Sequence, residues 1–377
     1  MVDKFILAPY YLTLKFRNFL YDKGLKKSCR AGIPTVSVGN VTVGGTGKTP
    51  HTEMLVRMLL QHGYWSDKKI AVLSRGYRRK TKGFQQVTPD GTAADFGDEP
   101  LQIKRKFPQV TVAVDKDRIE GCSFLQHPEK LHTSKKARKC RDKDMDPQDI
   151  VILDDAFQYR ALKPDVSIVL MDYSRPVFKD HLLPAGSLRD LPERIYSADI
   201  LVVTKCPAYI DDQDRAKCAA ELRLKDFDPQ TSMARTPDGK AVSIFFTKIK
   251  YCSIETFFPE GEHRYAYARQ AVVVTGIAND KPMVMYLSDT YRIVKKISFP
   301  DHHSFSGKDI RLLEKAAADY PTAVLVTTEK DSQRMLDCKK ISGTLRKRLF
   351  RIPITVDFIT EEERRRFITV LDAALRG

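Results

Sequence analysis

Short apolar runs recur along the chain at 35–38, 70–73, 110–114, 150–153, 166–171 and 200–203. They are rich in Val and Ile and show little alternation with polar positions. That pattern predicts strands buried on both faces. Between many of them apolar residues recur at helical spacing, as over 50–61. Buried strands alternating with helices predict an α/β fold with a mostly parallel sheet and helices on both faces. Ligands of such sheets bind beyond the C-terminal ends of the strands.

The pattern shifts after about residue 226. Residues 231–240 read as a loop and 242–251 as an extended connector. A second α/β unit then begins at 271–275 and continues through 293–299, 323–327 and 354–358. The predicted organisation is an N-terminal helical segment over 1–30, a main α/β domain over 31–240 and a smaller C-terminal α/β domain over 241–377. The N-terminal segment has its own periodicity. Pro9 is expected as the first helical residue and Gly24 as the stop. Leu12, Phe16, Phe19 and Leu20 then share one face, with Lys15, Asn18 and Asp22 elsewhere. An amphipathic helix of this kind either lies in a membrane interface or packs on its own domain.

Composition narrows the choices. An apolar share of 42% over 377 residues supports a real core and roughly two domains. No apolar run reaches the ~18 residues of a spanning helix, and no secretory signal is evident. The seven cysteines are scattered and form no C-x-x-C pair, which argues for a reducing compartment and against a zinc site. A net charge of +16 suggests a polyanionic partner: nucleic acid, an anionic membrane or a phosphorylated substrate. A basic cluster at 130–143 has little periodicity and reads as a solvated loop.

Candidate chemistry follows the strands. Gly39-Asn40-Val41-Thr42-Val43-Gly44-Gly45-Thr46-Gly47-Lys48-Thr49-Pro50 sits between the first strand and a helix. Strand, glycine-rich loop and helix in that order make a phosphate-binding loop. Gly44, Gly45, Thr46 and Gly47 would present backbone N–H groups, Lys48 would reach the β- and γ-phosphates, and Thr49 would offer its hydroxyl to Mg²⁺. The usual first glycine is replaced by Thr42. Asp154 and Asp155 end a buried strand, where a metal-handling carboxylate belongs. Arg75 and Arg78 follow the second strand and could clamp phosphate, with Tyr77 stacking beside them. Asp98 and Glu99 open a helix before Pro100, as a proton acceptor or a cap. Asp301-His302-His303 follows a strand of the second unit. Adjacent side chains on extended backbone point apart, so one oriented His is expected there rather than a two-His metal site. Thr328-Glu329-Lys330-Asp331 reads as structural or as a lid contact.

Taken in order, these motifs resemble one family, the tetraacyldisaccharide 4'-kinases, or lipid A 4'-kinases. The resemblance rests on the loop at 39–50, Ser74-Arg75-Gly76-Tyr77, Gly97-Asp98-Glu99-Pro100, Asp115-Lys116-Asp117-Arg118, Asp154-Asp155-Ala156-Phe157-Gln158, Leu183-Pro184-Ala185-Gly186, Phe299-Pro300-Asp301-His302-His303 and Thr328-Glu329-Lys330-Asp331. It implies a P-loop NTPase-like kinase that transfers the γ-phosphoryl group of ATP, with Mg²⁺, to the 4'-hydroxyl of a tetraacyldisaccharide 1-phosphate. The implied product is lipid IVA. The implied location is the cytoplasmic face of the inner membrane of a Gram-negative bacterium, reached through the N-terminal helix, with a monomer expected and no nucleic-acid partner. By resemblance Asp98 is the base, His302 its supporting partner and Lys48 the phosphate lysine. Thr49, Asp154 and Asp155 are placed at the metal, and Arg75, Tyr77, Arg118, Gln158 and Arg189 at the lipid substrate. Tyr159 and Ala156 stand where many members have His and Gly. The rival readings are a P-loop switch or metal chaperone, which would hydrolyse nucleotide without acceptor, and a nucleic-acid-stimulated ATPase.

Overall fold

The computed structural model describes residues 2–301 and 303–376, with side chains from Ala8 onward. Among these residues two sheets form, one of 11 strands and one of five. The large sheet runs in the order Gln85–Gln86, Thr111–Val114, Ile70–Ser74, Ile150–Asp154, Thr35–Gly39, Val166–Asp172, Ile200–Thr204, Ala241–Tyr251, Met233–Arg235 and Lys225–Asp228. From Thr111–Val114 across to Ala241–Tyr251 every neighbouring pair is parallel. The predicted strands of the first unit are all present, and the fold is the expected α/β type.

The reason lies in the runs themselves. Every residue of Thr35–Gly39, Ile70–Ser74, Ile150–Asp154 and Val166–Asp172 is buried, so both faces of the sheet need a cover. On one face Met54, Leu55 and Leu59 of the helix Lys48–Gln61 pack on Val36, Val38, Ile152 and Ile168. On the other, Cys122, Phe124 and Leu125 of the helix Arg118–Gln126 pack on Ala71, Leu73, Val151 and Leu153. Thr35–Gly39 lies between Ile150–Asp154 and Val166–Asp172. The chain builds one side of the sheet, returns, and then builds the other. Such a switch point opens a crevice at the carboxyl ends of the strands.

The second sheet runs Glu255–Thr256, Leu349–Ile352, Val324–Thr328, Gln270–Thr275 and Arg292–Ser298. Sheet membership divides the chain differently from the expected cut at 240. The presumed connector is the strand Ala241–Tyr251, whose first half pairs with Ile200–Thr204 in the large sheet. Ile354–Phe358, assigned above to the second unit, pairs antiparallel with its second half. The helix Glu361–Arg376 then packs Phe367 and Leu371 on the large sheet. The chain thus leaves for the small sheet after Tyr251 and returns after Ile352. Pairing across a hundred residues leaves no local periodicity from which this could be read.

Two smaller expectations also change. The N-terminal helix runs Val2–Asp22 with Pro9 inside it, not at its first position. The one lost donor interrupts the ladder without ending it. The basic segment 130–143 is folded, with a short helix Lys130–Thr133 and a 3₁₀ turn Lys135–Lys139. Leu131, Ala137 and Cys140 are buried, while Lys136 pairs with Glu120 and Arg141 with Asp95. Three isolated apolar anchors are too few to create a period.

Candidate active site

The phosphate loop is braced from within. Asn40 Nδ2 donates to Thr46 Oγ1 at 2.7 Å and to Thr42 Oγ1 at 3.2 Å, all three side chains being buried. Thr42 also pairs its backbone with Leu188. A glycine at 42 would lose the hydroxyl that steadies Asn40, which accounts for the shifted glycine. Gly44 and Gly47 have φ of 89° and 86°, a region closed to most side chains. A side chain at Gly44 or Gly45 would meet nothing within 4 Å, so this stretch of backbone faces open space. Gly47 is the N-cap of the helix Lys48–Gln61 and offers no side-chain cap, leaving the first N–H groups for a ligand.

Two anchors hold the loop from outside. Thr204 Oγ1 donates to the Thr46 carbonyl at 3.0 Å. His51 is buried, with Nδ1 2.7 Å from the Gly47 carbonyl and Nε2 2.9 Å from Thr247 Oγ1. The carbonyl can only accept, so Nδ1 carries the proton and Nε2 accepts from Thr247. Burial pushes His51 down to about 4, keeping the ring neutral. Sequence reasoning passed over His51; its spacing of four from Gly47 at the helix start was the available signal.

The acidic pair occupies two different environments. Asp154 is buried at the strand end and accepts from Thr52 Oγ1 at 3.1 Å. Burial, with Glu99 and then Asp155 nearby, pushes it up to about 7. Asp155 has φ 49° and turns toward the crevice. It is gripped by the Arg189 guanidinium, with one contact of 3.1 Å, and lies 3.9 Å from Lys48 Nζ. Burial opposes its ionisation, but Arg189 and Lys48 outweigh burial and hold its carboxyl below the usual carboxylate range. Arg189 also donates to Asn40, and Gln158 Nε2 donates to the Asn40 carbonyl.

These residues fit a Mg²⁺ ion shared with a nucleotide. Thr49 and Asp154 supply hard oxygen donors beside the phosphate cradle, and Asp154 is a buried carboxylate that a divalent cation would relieve. Among the described residues no cluster of three or more His, Cys, Asp or Glu side chains could hold a metal alone. A cation here would complete its shell with phosphate oxygens and water.

The base candidate is built differently. Asp98 is the first residue of the helix Asp98–Lys106, whose N-cap is Gly97, so it does not cap the helix. Arg334, from the helix Glu329–Leu336 under the small sheet, donates through Nη1 to Asp98 Oδ2 at 2.6 Å. Glu99 pairs with Lys330 at 3.4 Å. Lys106, at the other end of the same helix, bridges Glu53 at 2.6 Å and Glu329 at 3.0 Å. The motif read as a lid contact therefore docks along the whole base helix. A cavity of about 300 Å³ opens here, lined by Tyr77, Asp98, Ser304, Phe305 and Arg334. His302 lies outside the described residues; its neighbours Ser304 and Phe305 share the cavity with Asp98. His303 is paired with Asp309 at 3.0 Å and stacked on Phe299.

The remaining candidates separate by exposure. Arg75 and Tyr77 are exposed beside the acidic crevice. Arg118 is buried and donates to the carbonyls of Asp115 and Asp154, at 2.8 and 3.3 Å, so it sits beneath the pair. Tyr159 donates to Asp117 Oδ1 at 2.8 Å. Arg334 escaped the sequence reading as a site residue, and Glu99, read there beside Asp98, is found paired with Lys330.

A sequence profile of the tetraacyldisaccharide-1-P 4'-kinase family matches residues 5–376. The chain belongs to that family. It is 35% identical over 353 residues to tetraacyldisaccharide 4'-kinase of Phocaeicola vulgatus, covering 92% of this chain and 87% of that protein. The corresponding kinase of Porphyromonas gingivalis is 36% identical over 363 residues, covering 95% and 92%. The crystal structure of LpxK from Aquifex aeolicus in complex with ATP shares the fold, with a TM-score of 0.66 at 24% identity and full coverage of both chains. With family membership on hand, the switch and nucleic-acid readings of the loop fall away.

Proposed function

We propose that this family member transfers the γ-phosphoryl group of ATP to the 4'-hydroxyl of a tetraacylated disaccharide 1-phosphate, giving lipid IVA. The observation that carries the reading is the join between the loop helix and the base helix. The loop helix Lys48–Gln61 and the base helix Asp98–Lys106 are tied together, with Gln102 Nε2 donating to Glu53 Oε1 at 2.7 Å and Lys106 bound to Glu53 at 2.6 Å. That join supports a donor and a base that work on one substrate.

Phosphoryl transfer demands mainly positioning and charge neutralisation. Lys48 and the helix N-terminus hold the phosphates. Thr49 and Asp154 would hold Mg²⁺, which supplies positive charge to the β- and γ-oxygens. Asp155 is kept ionised by Arg189 and steadies Lys48. Asp98 receives the proton of the sugar hydroxyl, with His302 as its partner from the small-sheet unit. Arg75, Tyr77, Gln158 and Arg189 face the phosphorylated sugar, and Arg118 adds charge from beneath.

The N-terminal helix supports a membrane-surface location. Its docked side mixes apolar and polar groups: Leu14 is buried in the core, and Asn18 Nδ2 and Arg17 donate to Asp190 at 3.0 and 2.8 Å, next to Arg189. Its apolar side points outward, with Leu12 60%, Phe16 63% and Phe19 48% exposed. Lys15, Lys23, Lys26 and Lys27 surround it. An apolar stripe edged by lysine suits the interface of an anionic leaflet. No helix among the described residues is long and apolar enough to cross a membrane.

The test is transfer of labelled γ-phosphate from ATP to the disaccharide 1-phosphate in detergent. A doubly phosphorylated lipid is expected. Its absence with folded protein overturns the reading.

A further inference from the structure

The helix Glu329–Leu336 has more contact with chemistry than a structural lid requires. Arg334 is nearly buried, and its guanidinium joins two carboxylates: Asp98 Oδ2 at 2.6 Å and Asp331. It also donates to the Gly276 carbonyl at 3.4 Å. Asp331 is itself fixed. Its Oδ2 accepts from Thr328 Oγ1 at 2.7 Å and from the Gly276 amide at 2.9 Å. Thr328 ends one strand of the small sheet and Gly276 follows Thr275 at the end of its neighbour. The Arg334 fork is therefore referenced to the small sheet, while its other end rests on the base candidate of the large sheet.

We propose that Arg334 is a positioning residue for Asp98: it orients the carboxylate and keeps it ionised whenever the small-sheet unit is docked. The inference rests on the reading of Asp98 as the base. A charge-assisted bond from a rigid guanidinium fixes direction as well as distance. Arg334 thereby makes base readiness and docking of the small-sheet unit a single event. The other charged groups facing this place are Arg78 and Lys80 on the cavity wall, Glu99 with its partner Lys330, and Asp337, which burial first and Asp98 after it push upward. Arg334 is the cation directly on the Asp98 carboxylate among the described side chains.

Arg334→Gln, Arg334→Lys and Asp98→Asn test this in the γ-phosphate assay, alone and combined. Removing a bond to a charged group predicts a kcat loss of about tenfold to a hundredfold for Arg334→Gln, with KM for ATP unmoved. The acid limb of its kcat profile should move to higher pH, because the lost cation no longer favours the carboxylate. Arg334→Lys should restore part of kcat and return the limb toward its original place. In the Asp98→Asn background Arg334→Gln should cost nothing further. A lowered melting point alone, with unchanged pH profile and kcat, overturns the proposal, as does a gain in kcat, which would make the contact a lock. If Arg334→Gln does not fold, Arg334→Lys decides: wild-type kcat and pH profile overturn the proposal. Full turnover by Asp98→Asn instead removes the base reading itself.

Discussion

The phosphate loop takes most of its groups from Gly39 to Thr52 and is braced by strand ends of its own sheet. Asp98 takes its partner from Arg334, 236 positions away and on a helix of the other sheet. The loop's shape is therefore set by local backbone, with left-handed glycines and the buried Asn40–Thr46–Thr42 set. The base site draws on both sheets at once. The donor half is thus specified within one sheet, whereas the acceptor half depends on how the two sheets meet.

The largest expected effect separates the two halves directly. Asp98→Asn should lower kcat by about 10²- to 10⁴-fold and leave ATP affinity intact. Lys48→Ala should lower both, with kcat reduced about 10²- to 10³-fold. Steady-state kinetics with varied ATP checks this, and equal loss of ATP affinity in both variants breaks the comparison.

Next comes the bridge between them. Lys106 lies between Glu53 of the loop helix and Glu329 of the docked helix. Lys106→Met leaves two buried carboxylates facing each other and should cost about 3–5 kcal/mol in urea unfolding. A loss below ~1 kcal/mol, the value of a surface pair, would show that the docked state contributes little.

The N-terminal helix belongs to the donor half, through Asp190 beside Arg189. Combining Leu12→Ser, Phe16→Ser and Phe19→Ser should weaken partition onto anionic vesicles about a hundredfold, with ATP binding unchanged. Equal sedimentation with vesicles would refute the interfacial role.

The smallest effect is a pH dependence of stability near the substrate side. Burial first of all pushes Asp115 up to about 6, and one of its oxygens is buried without a partner. Its folded value lies above the unfolded one of ~3.9, so its contribution is full below about pH 4 and is lost as pH rises through about 6. The melting point of the protein should therefore fall relative to that of Asp115→Asn between pH 4 and pH 7. A constant gap across that range would contradict the assignment.

Much of this was legible along the chain. The unalternated Val and Ile runs required a sheet covered on both faces, and the loop at 39–50 announced a phosphate site from its local order alone. Sheet membership falls elsewhere than near 240 because Ala241–Tyr251 finds its partners, Ile200–Thr204 and Ile354–Phe358, far away along the chain. The N-terminal helix was read as amphipathic, but the docked side turned out to carry Asn18 and Arg17. His51 and Arg334 were missed because each meets a partner distant in sequence, Thr247 and Asp98.

The strands, the phosphate loop with its Thr42 departure, and the family to which the ordered motifs belong can all be read along the chain. These depend on local conformational preference and short-range spacing. Tertiary structure alone decided that Asp154 is pushed up while adjacent Asp155 is held down, since burial and the Arg189 guanidinium reach the two unequally. It alone decided that the last strand returns to the first sheet, and that Arg334 meets Asp98. Electrostatic and hydrogen-bond partners act through space over a few ångströms, and separation along the chain carries no record of that distance.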